Sequence, residues 1–266
     1  MLNRSFSFVY GVICYAISMA TFVVAMGFLA NVGTAKSLDS TAYSPFLHAL
    51  AVDLGLLLMF CVQHSVMARP GFKREWTRIV PPALERSTYL LFSSAALLFL
   101  FWRWEPMGGV IWNLQSPVGR YAMYGLYIAG WLIVLAATFL INHFDLFGLR
   151  QVWLHLRDKR YTNLAFRTPG FYRLVRHPLY VGWILVFWSA PRMTAAHLVF
   201  ALATTIYILV AIKFEERDLM EMHPEYSAYR ERVPMLIPGG TSRSSGNPEL
   251  RAPAAIFVPN LPGPKN

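Results

Sequence analysis

The sequence predicts an all-α fold: a polytopic integral membrane bundle of four spans followed by a C-terminal helical hairpin, five to six membrane helices in all, with cytoplasmic termini. Three observations predict it. The 266 residues are 56% hydrophobic and 15% aromatic with only 14% charged, more apolar surface than a soluble domain of this length can bury. Four windows, 6–30, 46–68, 88–104 and 121–143, approach or exceed the roughly 20 apolar residues that cross the hydrocarbon core. Twenty of the 24 Lys and Arg residues fall on one side of those windows: Arg4, the loops 69–86 and 145–176, and everything from Lys213 onward. Lys36, Arg103, Arg120 and Arg192 fall on the other, a clear positive-inside asymmetry. The net charge of +10 then follows from topology and anionic headgroups, and no nucleic-acid-binding motif is present.

The first span is too long and too aromatic for a cleaved signal sequence and has no small-residue cleavage site before Lys36, so it is expected to remain. The second ends in Gln63-His64-Ser65, and about three turns earlier it places Asp53 too deep for solvation. An intramembrane carboxylate is a functional candidate by default, or it bridges two helices through His48 or a serine. The fourth closes on His143 and Asp145. Cys14 and Cys61 have no metal or redox spacing and read as small buried hydrophobes. Trp102, Trp104, Trp112, Trp131 and Trp153 lie mainly near span ends, as an aromatic belt would.

The region 179–214 is longer than one span and is interrupted by Ala190-Pro191-Arg192, which predicts a hairpin. Its first arm is short for a crossing and must tilt or turn within the membrane; its second, 195–213, is long enough. Residues 1–238 form one expected domain, and 239–266, dense in Gly, Pro and Ser, reads as a disordered tail. There is no Rossmann or Walker-type glycine loop.

The chemistry gathers at the cytoplasmic ends of the hairpin. Pro178 suits the first turn of a helix, which puts His177 at its cap beside Arg176, where free amides and a guanidinium favour an anion. Tyr180 and Gly182 extend one wall, the glycine admitting a ligand or a second helix. The returning arm ends in Glu215-Glu216-Arg217-Asp218, and adjacent glutamates point about 100° apart, so one faces the pocket while the other pairs with Arg217 or Arg176.

These residues carry a resemblance. RHPLYVG, the EERDL run, and the stretch from Tyr226 through Tyr229 to Pro238 resemble the C-terminal signature of membrane methyltransferases related to isoprenylcysteine carboxyl methyltransferase and phospholipid methyltransferase. Sterol reductases that use NADPH share part of it. QHSVMARPGFK, the PPALERSTY stretch 81–89 and INHFDLFGLRQVW narrow the resemblance to bacterial methanethiol S-methyltransferases over about 6–238, with a sister family linked to nitric oxide and nitrite metabolism sharing the Gln-His-Ser region.

The resemblance implies a bacterial inner-membrane enzyme that binds S-adenosylmethionine and methylates a small volatile thiol, methanethiol to dimethyl sulfide, with hydrogen sulfide as a further acceptor. It implies no obligatory protein partner. Arg176, His177, Tyr180, Gly182, Glu215, Glu216 and Tyr229 are the expected cofactor-binding residues. Such a donor needs acidic or aromatic groups for its sulfonium and ammonium and a cation for its carboxylate. In-line methyl transfer needs alignment and dryness rather than a metal. The thiol must lose its proton, and His64, His143 and Asp145 are the candidates near the right face, with His64 favoured by the resemblance. The competing functions are a methyltransferase acting on prenylcysteine or phospholipid, an NADPH reductase, and a non-enzymatic membrane protein.

Overall fold

The computed structural model describes residues 3–162, 164 and 166–239. Of the expected tail, only Gly239 lies within the described residues. The chain forms α1 (Arg4–Ala30), α2 (Phe46–Ala68), α3 (Pro70–Trp76), α4 (Pro82–Arg103), β1 (Val110–Asn113), α5 (Pro117–Ile141), α6 (His143–Leu146), α7 (Leu149–Leu156), α8 (Pro178–Trp188), β2 (Arg192–Thr194), α9 (Ala195–Met222) and α10 (Glu225–Arg232). Five of these, α1, α2, α4, α5 and α9, are long and apolar enough to cross a membrane. Large apolar side chains such as Leu58, Leu132 and Ile206 stand more than half exposed on them, the outward face that lipid requires.

Polar side chains are turned inward and tie helices together. Ser94 Oγ donates to Ser18 Oγ at 3.1 Å and Tyr10 meets Thr88 at 3.0 Å, joining α1 to α4. The apolar core runs between them through Phe28, Leu100, Phe101, Trp104, Trp131 and Val186. Trp104 and Trp131 are therefore core residues rather than members of a belt, whereas Trp102 stays exposed.

The hairpin is α8 and α9, and its short first arm neither spans alone nor turns back. At 1.5 Å per residue, α8 rises only about 16 Å. The chain then makes a tight turn, Ala190 N donating to the Trp188 carbonyl at 3.0 Å, and pairs β2 antiparallel with β1, Val110 opposite Thr194 and Asn113 opposite Arg192. Trp112 Nε1 donates to the Ala190 carbonyl at 2.9 Å and Leu114 N to that of Pro191 at 2.9 Å. A two-stranded ribbon thus links the end of α8 to the start of α9. Thr194 caps α9, and beside it Asp39 accepts from Thr194 N, Asn31 Nδ2 and, at 2.8 Å, His197 Nδ1. Burial acts against the Asp39 charge, but its bonds to His197, Thr194 and Asn31 outweigh that and hold the carboxyl below its usual range.

Asp53 is fully buried and caps the loop after α4, accepting the Glu105 N–H at 2.9 Å. The expected partners, His48 or a serine, do not reach it; His48 sits 3.5 Å from the Glu105 carboxylate instead.

Candidate functional site

The end of the bundle opposite the ribbon holds a cleft built from α8, α9, α10 and the turn Gly170–Arg173. Pro178 starts α8 and puts His177 at its cap, as the sequence suggested. Residues 233–235 return across this helix start: Arg176 N donates to the Pro234 carbonyl at 2.8 Å and His177 N to that of Met235 at 3.2 Å.

Glu216 locks the assembly together. Its Oε1 accepts from Arg176 Nε at 2.7 Å and from the Tyr226 hydroxyl at 3.3 Å, with His177 Nε2 at 3.0 Å. Arg230 Nε lies 3.1 Å from Oε2. The carboxylates at the finish of α9 would be poorly placed against the helix dipole alone; Arg176 just before α8 and Arg230 on α10 reverse that balance.

Glu215 points the other way. It is 41% exposed, bonded through Oε2 to the Tyr180 hydroxyl at 2.8 Å, and lines the cleft. The remaining walls are aromatic: Phe166, Tyr172, Tyr180, Tyr226 and Tyr229. Burial pushes the Tyr172, Tyr226 and Tyr229 phenols well above their ordinary range, so they remain protonated donors; Tyr229 donates to the Tyr172 carbonyl at 2.6 Å. The cleft is open to solvent, with about 540 Å³ of free space when that solvent is included.

Sequence reasoning placed Arg176, His177, Tyr180, Glu215, Glu216 and Tyr229 in one neighbourhood, and the structure brings them together. Two expectations need correction. Gly182 does not reach the cleft: a Cβ there would sit 2.8 Å from the Gly130 carbonyl oxygen and 2.9 Å from Val134 N, so its bareness serves the crossing of α8 with α5. Arg176 is not an open anion clamp, because Nε is taken by Glu216 and Nη1 by the carbonyls of Arg230 and Val233. The exposed cation on the cleft is Arg167. Arg167, Tyr172 and Phe166 were missed because they lie in loop sequence without a helical period.

Inward from the cleft lies a second polar layer. Tyr180 is within electrostatic reach of Tyr89 and Tyr207. Tyr207 meets Ser65 at 3.0 Å, and Tyr89 meets the adjacent His64 at 2.9 Å. His64 also lies 3.2 Å from Ser93 Oγ and stacks on Phe60. Arg69 bonds Asp218 at 2.8 Å and so fastens the end of α2 to α9, one turn from Glu215.

His143 and Asp145 do not border the cleft. Both His143 ring nitrogens are engaged, by Tyr15 and Thr138 at 2.9 Å each. Asp145 is fully buried, held by Arg150 at 2.8 Å and by the Tyr161 hydroxyl. Asn142, with φ 134°, ends α5 and caps α6 through the Asp145 N–H. This junction shapes the chain between α5 and α7.

The chain is 58% identical over 238 residues to methanethiol S-methyltransferase of Crocosphaera subtropica, covering 89% of this chain and 93% of that protein. It is 49% identical over 238 residues to methanethiol S-methyltransferase of Mycobacterium tuberculosis, 89% of this chain and 98% of that one. A more distant similarity, 33% over 179 residues, extends to nurim of Sus scrofa and covers 64% of this chain and 68% of nurim. No protein-family model matches, and no solved structure does either. Similarity this high over nearly the whole length, together with the polytopic fold, establishes that the chain belongs to the methanethiol S-methyltransferase family.

Proposed function

We propose that this enzyme methylates methanethiol to dimethyl sulfide with S-adenosylmethionine as donor, bound in the cleft at the cytoplasmic end of the bundle. The observation that carries the reading is the pairing of a half-exposed carboxylate, Glu215, with aromatic walls, one of which, Tyr180, is within electrostatic reach of the Tyr89–His64 pair. The donor set fits the molecule. Glu215 and the tyrosine faces suit its ammonium and sulfonium, and Arg167 suits its carboxylate. Glu216, Arg176 and His177 hold the walls in place rather than touching the ligand. Bound there, S-adenosylmethionine supplies an electrophilic methyl group on a positive sulfur.

What the chain must add is alignment, exclusion of water and removal of the thiol proton. His64 is the proton acceptor in this reading, its ring held by Tyr89 and Ser93 on the membrane side of Tyr180. His143 and Asp145 take no part in the chemistry in this reading, since neither lines the cleft and their partners, Tyr15, Thr138, Arg150 and Tyr161, lie outside the Tyr180–Tyr89 neighbourhood. The cytoplasmic placement of the cleft is supported by the basic segments that surround it. Arg4 at the start of α1 is joined to Asp158, and Arg86 near the start of α4 bonds the Leu146 carbonyl at the end of α6.

Headspace gas chromatography of purified enzyme with methanethiol and S-adenosylmethionine tests this directly. Dimethyl sulfide is the expected product. His64→Ala should lower turnover by about a hundredfold or more, the usual worth of a general base, while donor affinity stays near that of the unmodified enzyme. Absence of the sulfide from protein that binds the donor would sink the thiol assignment, and an unchanged rate in His64→Ala would remove His64 from the role.

A further inference from the structure

We propose that Arg86, with Lys73 behind it, forms a buried anion site that holds the acceptor sulfur as a thiolate. The inference rests on the thiol-methylating reading and adds to it the place and charge state of the acceptor. Arg86 begins the second turn of α4 and is only 7% exposed. Its Nε donates to the Leu146 carbonyl at 2.9 Å. Among the described residues, its two terminal nitrogens have no hydrogen-bond partner and no carboxylate pairs with it. Lys73, 3% exposed, shares the neighbourhood and pairs at 3.5 Å with Glu85, the one buried acid beside it. Two buried cations thus face one carboxylate.

A guanidinium this poorly hydrated and without a counter-charge is costly, and because its unpartnered terminal nitrogens are not sealed off a small ligand can reach them. The contact of Arg86 with the Tyr89 ring, 5.8 Å to the centroid, offsets at most about 2 kcal/mol of that. Asp145, next in sequence to the Leu146 that Arg86 bonds, is already held by Arg150 and Tyr161. A bound anion would close the deficit. The groups facing the site decide which anion: Tyr89 and His64 lie beside the guanidinium, and Tyr180, which lines the cleft and bonds Glu215, is within electrostatic reach of Tyr89 and so joins the two. A thiolate placed there lies on the membrane side of the donor cleft, where a small apolar thiol arrives from lipid.

The proton balance is simple. The S–H bond breaks, the proton passes to the unprotonated ring nitrogen of His64 and then to water, and the electron pair stays on sulfur opposite Arg86. Methyl transfer forms the new carbon–sulfur bond as the donor's breaks, the latter's electron pair neutralising its sulfonium.

The test reads ionisation as well as turnover. Methanethiol is titrated against the purified enzyme without a methyl donor, and the ultraviolet absorbance of the thiolate is followed from neutral to alkaline pH. In the unmodified enzyme the bound thiol should ionise at least about one pH unit below free methanethiol, the effect of one nearby opposite charge. Arg86→Lys should retain that shift. Arg86→Gln should return ionisation to the free value and raise the KM for the thiol about tenfold at neutral pH, with donor binding unchanged. Iodide, a spherical anion, should displace the thiolate signal from the unmodified enzyme, which tests the site even if Arg86→Gln fails to fold. A free-value ionisation in the unmodified enzyme, or a signal indifferent to iodide, overturns the anion site while leaving dimethyl sulfide production to stand. A shifted thiolate signal without dimethyl sulfide formation would keep the anion site and remove the methyl-transfer reading.

Discussion

Glu215 and Glu216 are adjacent in sequence and opposite in circumstance. Glu216 is buried under four donors, whereas Glu215 has one firm bond and an open side toward the cleft. Glu216→Gln would strand the buried Arg176 and half-buried Arg230 without a counter-charge, so it should lower stability by about 3 kcal/mol, the scale for breaking a buried pair. Glu215→Gln should leave stability almost unchanged and weaken donor binding about tenfold, the worth of one hydrogen bond to a charged group. Thermal unfolding and equilibrium donor binding, measured on both variants, separate the two effects. A loss of stability in Glu215→Gln with intact Glu216→Gln would reverse the assignment. That one of the pair turns inward was legible from the 100° step between neighbours. Which one was not, because the choice depends on Tyr226 and Arg230, brought back by a helix whose docking no local pattern announces. Arg86 was equally hidden: in sequence it is one more cation in a basic segment, and only packing shows that nothing neutralises it.

Among elements, the crossing of α5 and α8 determines whether the cleft exists. Gly130 and Gly182 oppose each other so closely that a methyl group on either would meet the other's carbonyl oxygen at 2.8–2.9 Å, and backbone cannot give way as a flexible side chain can. Gly182→Val should destabilise the protein by about 1–3 kcal/mol, the range for overpacking, and should weaken donor binding because α8 carries Tyr180 and the His177 cap. Gly55→Ala in α2, where no atom lies within 4 Å of the added carbon, is the control and should be neutral or slightly stabilising. Thermal unfolding of the two variants side by side checks the contrast; equal effects would mean that the crossing is not the constraint. The spans themselves were readable from apolar length because lipid leaves the backbone few options. The ribbon of β1 and β2 was not, since three or four residues on each side are too short to show an alternation.

At the scale of the whole molecule, five helices are long and apolar enough to cross a membrane, and the short α8 with the strand after it lies beside them. With α9 about 42 Å long against a hydrocarbon core of about 30 Å, its last turns stand clear of the lipid at the cleft end. Glu215 and Glu216 are in those turns, which is how carboxylates come to sit at the end of an apolar helix. The same geometry places Arg74 and Glu225 at the cleft end and Arg120, which opens α5 near the ribbon, at the far end. The distribution of Lys and Arg supports the proposed cytoplasmic placement of the cleft end. In a background with Cys14→Ala and Cys61→Ala, a membrane-impermeant maleimide applied to intact spheroplasts should label Arg120→Cys and spare Arg74→Cys; both replaced side chains are exposed, so access alone decides. After lysis both should react. Labelling of Arg74→Cys in intact spheroplasts, with Arg120→Cys protected, would invert the molecule and put the donor cleft outside, where a cytoplasmic methyl donor could not reach it.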